Sequence, residues 1–229
     1  MKAIIFAAGL GTRLKHLTEH TPKALVKAGD ITLLEHVITK LKQAEVNEII
    51  INVHHFYEQI IDFIQKNNFG IKICFSIEDE KLLDTGGGLK KASWFFDDNK
   101  PFFIHNVDVI SDINLQEMLD VHLRENAMAT LAVRNRITQR YFLFDATNRL
   151  CGRENLNTGE CILLPNSPPK TELNRLAFSG IHVVSPTIFE YMPSKDVFPI
   201  TELYLNIPHK IIAYQHDYGQ WKDMGKIES

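Results

Sequence analysis

An α/β fold, a buried sheet with helices on both faces, is predicted by three features of this 229-residue sequence. Short apolar runs rich in β-branched residues alternate with stretches whose apolar residues recur at helical spacing. The first such run ends abruptly at a glycine-rich turn, as a buried parallel strand does. Hydrophobic residues make up 45% of the chain, enough for a sizeable core.

The elements follow in order. "KAIIFA" reads as the first strand, and residues 31–45 place Leu33, Leu34, Val37, Ile38, Leu41 and Ala44 on one helical face. "EIIINV" is a second strand and "FYEQIIDFIQKN" a second helix, with Tyr57, Ile60, Ile61 and Ile64 on one side. "IKICFSI" is a third strand. "GGLKKASWFF" starts a helix after a glycine loop, and "PFFIHNVDV" is a fourth strand. "NLQEMLDVHLREN" is a helix with Asn114 as its cap, followed by the strand "MATLAV". From about residue 141 the pattern changes. "YFLFDATNRLCG" reads as two strands around a polar turn, "NSPPKTEL" as an exposed loop and "LAFSGIHVVSP" as a further strand. No repeat or linker divides residues 1–229, which read as one domain.

Bulk properties exclude several classes. The net charge is −3 and the basic residues are dispersed, so no nucleic-acid partner is expected. No apolar stretch approaches membrane-spanning length, and the first residues lack a signal-peptide pattern. Cys74, Cys151 and Cys161 are few and widely spaced, which predicts a reducing, cytoplasmic setting without a disulfide frame. Cys151 and Cys161 read as small packing residues. The histidines are scattered, most of them expected near the surface or behind other side chains. No H-E-x-x-H or C-x-x-C suggests zinc.

The turn after the first strand carries the chemistry. In open α/β sheets, ligands bind beyond the carboxyl ends of the strands. Ala7, Ala8, Gly9 and Gly11 carry little side chain, so a ligand can approach the backbone closely there. Arg13 offers a planar fork for phosphate oxygens, and Lys23 a mobile point charge. No G-x-x-x-x-G-K-[ST] run exists, which excludes a P-loop. The dinucleotide fingerprint needs a third glycine, where Leu14 stands, and an acid after the second strand, which ends "INVHH". "GLG" alone reads better as an ordinary turn joining strand to helix.

The longer stretch "FAAGLGTRLKHLTEHTPKAL" resembles the signature of the sugar nucleotidyltransferases, A-A-G-x-G-T-R-L-x-P-L-T followed by T-P-K-x-L. Ala7, Ala8, Gly9, Gly11, Thr12, Arg13, Leu14, Leu17, Thr18, Thr21, Pro22, Lys23 and Leu25 match, and His16 replaces the usual proline. By this resemblance the small residues hold base and ribose, Arg13 the triphosphate and Lys23 the reacting phosphates. "LLDTGGGLKKA" resembles the base-recognition segment of the branch with muramic acid 1-phosphate uridylyltransferases and heptose or mannose 1-phosphate guanylyltransferases. Gly86 and Gly87 would then face the base, which is uracil or guanine. In "FFIHNVDVISD", Asp108 matches the family's Mg²⁺-binding Asp, with Val107 where glycine is usual and Asn106 a nearby ligand contact. Asp112 reads as a cap or turn residue. "QWKDMGK" resembles the segment with the second metal-binding Asp, here Asp223, with Trp221 packed on the sheet. "LAFSGIHVVSP" resembles the sugar-pocket strand, which makes Ser179 and Gly180 sugar-side candidates, although a core strand with a bulge glycine explains them as well. Lys170 stands near the place of a family lysine that grips the sugar phosphate, in a context that does not match.

The resemblance implies a Rossmann-like three-layer sandwich of nucleotidyltransferase type, with a mixed central sheet. It implies Arg13, Lys23 and Asp108 as catalytic residues and Mg²⁺ as cofactor. The implied reaction joins UTP or GTP to a sugar 1-phosphate, giving a nucleotide sugar and pyrophosphate. An inactive nucleotide-sensing module on the same fold is the alternative. A dinucleotide-dependent oxidoreductase is disfavoured by the missing glycine and acid.

Overall fold

The structure is a computed structural model that describes residues 1–11, 17–208 and 210–225. The chain begins with β1 (Lys2–Phe6) and a small hairpin, β2 (Lys27–Ala28) and β3 (Ile31–Thr32). Next come α1 (Leu33–Gln43), β4 (Glu48–Val53), α2 (Tyr57–Lys66) and β5 (Lys72–Ile77). The middle holds α3 (Asp84–Lys91), β6 (Phe102–Asn106), β7 (Val109–Ser111), α4 (Leu115–Arg124) and β8 (Ala129–Arg134). The last part holds β9 (Arg140–Phe144), β10 (Leu150–Asn155), β11 (Glu160–Leu163), β12 (Asn174–Val184), α5 (Ile200–Asn206), β13 (Ile211–Gln215) and β14 (Trp221–Asp223).

β6, β1, β4 and β5 pair in parallel, and β8 pairs in parallel with β13. β12 lies between β6 and β8, antiparallel to both, so the central sheet is mixed. The first residues of β12, Asn174–Leu176, pair instead with β9, which continues into the antiparallel set β9–β10–β11. β14 pairs with β7 in a separate ribbon.

Side chains alternate across a strand, so β1 serves two cores. Ala3, Ile5 and Ala7 pack on one face with Leu34, Val37, Ile38 and Leu41 of α1 and Met118 of α4. Ile4 and Phe6 pack on the other with Leu89 of α3 and Leu203 and Tyr204 of α5. These are the two outer layers of a three-layer sandwich. The apolar stripes of α1 and α4 form as the spacing predicts, and each helix is capped by its own sequence. Thr32 Oγ1 accepts from the Glu35 N–H while Glu35 Oε2 accepts from the Thr32 N–H at 2.7 Å. Asn114 Oδ1 accepts from the Glu117 N–H at 3.1 Å. Among the described residues, no helix is long and apolar enough to cross a membrane.

Several expectations change. Gly86–Gly88 lie inside α3 rather than in a loop before it, because the helix opens at Asp84 in a left-handed conformation (φ 61°). α5 and β13 were not expected. Both are short, and α5 starts after Pro199 with no run long enough to show a period. Cys151 is buried, but Cys161 is exposed on β11 and packs nothing. Three of the histidines, His105, His122 and His182, sit fully inside the molecule. His105 Nδ1 bonds to Asn106 O at 2.8 Å, while its Nε2 is buried without a partner among the described residues. His122 bonds to Thr130 Oγ1 and Ser185 Oγ at 3.0 Å each, and His182 to the Tyr204 hydroxyl at 2.5 Å.

Burial keeps these histidines neutral, lowering the pKa of His105 and His122 to about 4 and of His182 to about 3. In the unfolded chain each binds a proton below about pH 6.5. Their contribution is therefore neutral above pH 6.5 and destabilising as pH falls toward the folded values. Denaturant unfolding at pH 7 and pH 5 should show His122→Gln losing about 1–2 kcal/mol less than the parent over that interval. An equal loss in the two proteins would show that His122 is not buried neutral.

Candidate functional site

The first strand ends in a cradle. The Ala7 N–H donates to Asn52 O at 2.9 Å, which ties the end of β1 to β4. Ala7 and Ala8 are buried in this strand end, and the chain then emerges at Gly9 and Leu10. A cavity of about 350 Å³ opens there, lined by Gly9, Leu10 and Gly11 on one side and by Leu82 and Thr85 on another. Lys23, Asn106 and Asp108 close it. Thr12 and Arg13, expected to hold nucleotide and triphosphate, lie outside the described residues.

Lys23 begins a single 3-10 turn after Pro22 and is nearly buried. Its ammonium pairs with Asp108 Oδ2. Asp108 sits in the turn between β6 and β7. Val107, where glycine is usual, is accommodated because its side chain is buried and its N–H donates to Phe6 O at 3.1 Å. Asp223 comes from the far end of the sequence on β14, whose register places it opposite Val109. The Met224 N–H donates to Asp108 O at 2.8 Å, which locks the two segments together. A Cβ on Gly225 would meet the Lys23 ammonium and lie 2.6 Å from Asp108 Oδ2 and 2.9 Å from Asp223 Oδ1. One cation and two carboxylates thus converge on one backbone point that only glycine leaves open.

Other expectations are redirected. Gly86 and Gly87 do not offer their N–H groups to a base, since both donate to Phe198 O, at 2.9 and 3.2 Å. Leu82 and Thr85 are the residues of that segment that reach the cavity. Ser179 is fully buried, its hydroxyl bonded to His216 Nε2 at 2.7 Å and its carbonyl accepting from the Trp221 indole at 2.9 Å. It braces β14 rather than facing a ligand. Gly180 occupies a bulge of β12 (φ 79°), and a Cβ there would lie 2.9 Å from Asn106 Nδ2, so its role is to let Asn106 approach. Trp221 joins this brace, and Asp112 is a clamp rather than a cap, accepting from the Gln220 N–H at 2.8 Å. Lys170 is turned away into a pair with Glu154.

A second cavity, about 530 Å³, lies on the other side of the start of α3. Asp84 lines it and the adjacent Thr85 lines the first. Arg136, Arg140, Tyr141 and Phe178 form much of its wall.

The sequence reading missed the group that holds Leu82 and Thr85 in place. Glu78 directly follows β5 and is 1% exposed. Its Oε1 accepts from Asn52 Nδ2 and its Oε2 from the Leu83 N–H, each at 2.7 Å. The signal was present as an Asn within the apolar run "EIIINV" and an acid just past "IKICFSI". Both partners are donors in this arrangement, and the carboxylate accepts from each. Glu78→Gln should turn an amide N–H₂ against one donor, and Glu78→Ala should leave both unsatisfied. We expect losses of about 1–3 kcal/mol for each in denaturant unfolding. Parent-like stability of the Gln variant would show that the carboxylate does not hold this loop.

The Nucleotidyl transferase family model matches residues 2–229. A mannose-1-phosphate guanyltransferase of Kluyveromyces lactis is 31% identical over 234 residues, covering 99% of this chain and 62% of that protein. A UTP--glucose-1-phosphate uridylyltransferase of Synechocystis is 27% identical over 248 residues, covering 99% of this chain and 61% of that protein. The chain thus spans about three fifths of the length of these curated relatives. Among solved structures, HddC from Yersinia pseudotuberculosis complexed with GMP-PN superposes with a TM-score of 0.78 at 22% identity, covering 98% of this chain and 93% of that one. A UDP-glucose pyrophosphorylase complexed with UDP-glucose gives 0.75 at 19% identity, with the same coverage. These likenesses show the fold. The match over nearly the whole chain shows that the chain belongs to the nucleotidyl transferase family.

Proposed function

We propose that this chain joins a nucleoside triphosphate to a sugar 1-phosphate, giving a nucleotide sugar and pyrophosphate. The observation that carries this reading is the convergence of Lys23, Asp108 and Asp223 at Gly225, on the edge of the glycine-lined cavity. A phosphate oxygen of the sugar 1-phosphate attacks the α-phosphorus. The bond from that phosphorus to the bridging oxygen breaks, and pyrophosphate leaves with the electron pair. A phosphate monoester is already mostly dianionic at pH 7, so the attack needs no general base. The protein's task is positioning and charge neutralisation. The cavity holds the nucleotide against Gly9 and Gly11, Lys23 balances charge on the reacting phosphates, and Asn106 offers an amide beside them. Arg13 takes the triphosphate in this reading.

The donor set suits Mg²⁺. Asp108 and Asp223 supply hard oxygen ligands from two directions, and Gly225 leaves room between them. Among the described residues, no group of three or more acidic, His or Cys side chains is placed to hold a metal ion, so phosphates and water would complete the shell. Bound there, the ion would supply Lewis-acid stabilisation of phosphate charge.

The relatives include a guanyltransferase and a uridylyltransferase, and the base in this reading is guanine or uracil. The free cysteines fit a cytoplasmic enzyme. A matrix of the four triphosphates against sugar 1-phosphates, read by pyrophosphate release, tests the reaction and the base together. Release with GTP or UTP is expected. No release with any pair would favour an inactive nucleotide-sensing module, and preference for ATP would overturn the base assignment.

The two aspartates should act as one unit. Asp108→Asn and Asp223→Asn should each slow turnover by on the order of a hundredfold or more, and the double variant should be little worse than either. Steady-state rates across a Mg²⁺ titration check this. Additive losses would show that the carboxylates do not share an ion.

A further inference from the structure

Arg136 connects the second cavity to the carboxylate pair. It lies in the loop after β8, half-buried, with its guanidinium 4.4 Å above the Trp221 ring. One of its terminal nitrogens donates to Phe178 O at 3.0 Å, and its Nε is buried without a hydrogen-bond partner. Burial lowers its pKa, and the negative charge of Asp223 opposes that shift, which marks the two groups as electrostatic neighbours. Trp221 stands two residues before Asp223 on β14 and is itself pinned to Ser179 O. The guanidinium is therefore held by a stack and a hydrogen bond, over the strand that carries Asp223 two residues beyond Trp221.

The charges in that cavity point the same way. Glu154 is neutralised by Lys170 and by Arg175, and Arg153 faces Glu160 at 3.3 Å. Asp84 Oδ1 is occupied by the Thr85 N–H and hydroxyl. Arg136 and the exposed Arg140 line the same cavity, beside the carboxylate of Asp84. A pocket with a fixed guanidinium in its wall, beside aromatic and polar side chains, suits a small polar molecule carrying one phosphate.

We infer that Arg136 grips the phosphate of the sugar 1-phosphate and sets its attacking oxygen beside Asp223. This takes the part expected of a loop lysine, since Lys170 is committed to Glu154. The inference rests on the proposed nucleotidyl transfer and concerns the acceptor side alone. Losing a charge-assisted bond to a phosphate lowers affinity by about tenfold to a hundredfold.

The test uses the parent, Arg136→Gln and Arg136→Lys with the most active pair from the substrate matrix. KM is measured separately for each substrate, and sugar 1-phosphate binding is measured by calorimetry. The Gln variant should raise the KM and the Kd for the sugar 1-phosphate by about tenfold to a hundredfold, with the KM for the nucleotide within about twofold of the parent. The Lys variant keeps the charge and should recover part of that loss. Unchanged sugar 1-phosphate affinity in both variants would overturn the inference and leave the transfer reading intact. So would equal changes in both KM values that track a lowered melting temperature, the mark of a residue that only braces Trp221. A parent without pyrophosphate release for any pair would remove the transfer reading, and the inference with it.

Discussion

The pairing of β14 with β7 is the contact on which the site depends. It brings a segment near the end of the sequence against the strand that leaves Asp108. Three further bonds hold the register. The Met224 N–H donates to Asp108 O, the Asp112 N–H to Gln220 O, and the Gln220 N–H to the Asp112 carboxylate. Two carboxylates brought this close repel each other in a partly desolvated place. Lys23 offsets part of that repulsion here, and the phosphates and their counter-ion would rearrange it on binding. The site is thus assembled under electrostatic load, and the β7–β14 ribbon is what bears it.

Behind the ribbon, β12 links the central sheet to the site through its bulge. The irregularity between Phe178 and His182 allows the backbone at Ser179 and Gly180 to face two ways. The Ser179 carbonyl takes the Trp221 indole, its hydroxyl takes His216, and Gly180 makes room for Asn106. The same strand supplies Phe178, whose carbonyl anchors Arg136. One irregular stretch therefore sets the position of Asn106, Trp221 and Arg136 together. On the opposite side, Glu78 does similar work for Leu82 and Thr85, through two bonds accepted by its buried carboxylate.

Local patterns in the sequence carried much of the fold. The apolar run of β1, the helical stripes of α1 and α4, the Asn114 cap and the hairpin of β9 and β10 were all legible, because each depends on periodicity or capping within a few residues. α5 and β13 were not, being too short to show a period and held by what they pack against. The glycines of "DTGGGLKK" read as a loop because glycine disfavours a helix interior. Close packing against Phe198, where no side chain fits, prevailed over that propensity.

The motif residues were legible for the same local reason. Gly9, Gly11, Lys23, Asp108 and Asp223 were picked out by their resemblance to the family's motifs, and the fold gathers them around one cavity or one charged cluster. What the sequence by itself determined was which short segments carry the motif residues. Tertiary structure decided which of the remaining candidates line a cavity. It turned Ser179, Gly86, Gly87 and Lys170 toward protein partners and brought Arg136 and Glu78 into play. The direction of a side chain or of a backbone N–H depends on strand register, on a bulge and on which donor lies within hydrogen-bonding distance. Those are long-range contacts between segments far apart in the chain, and no local pattern encodes them.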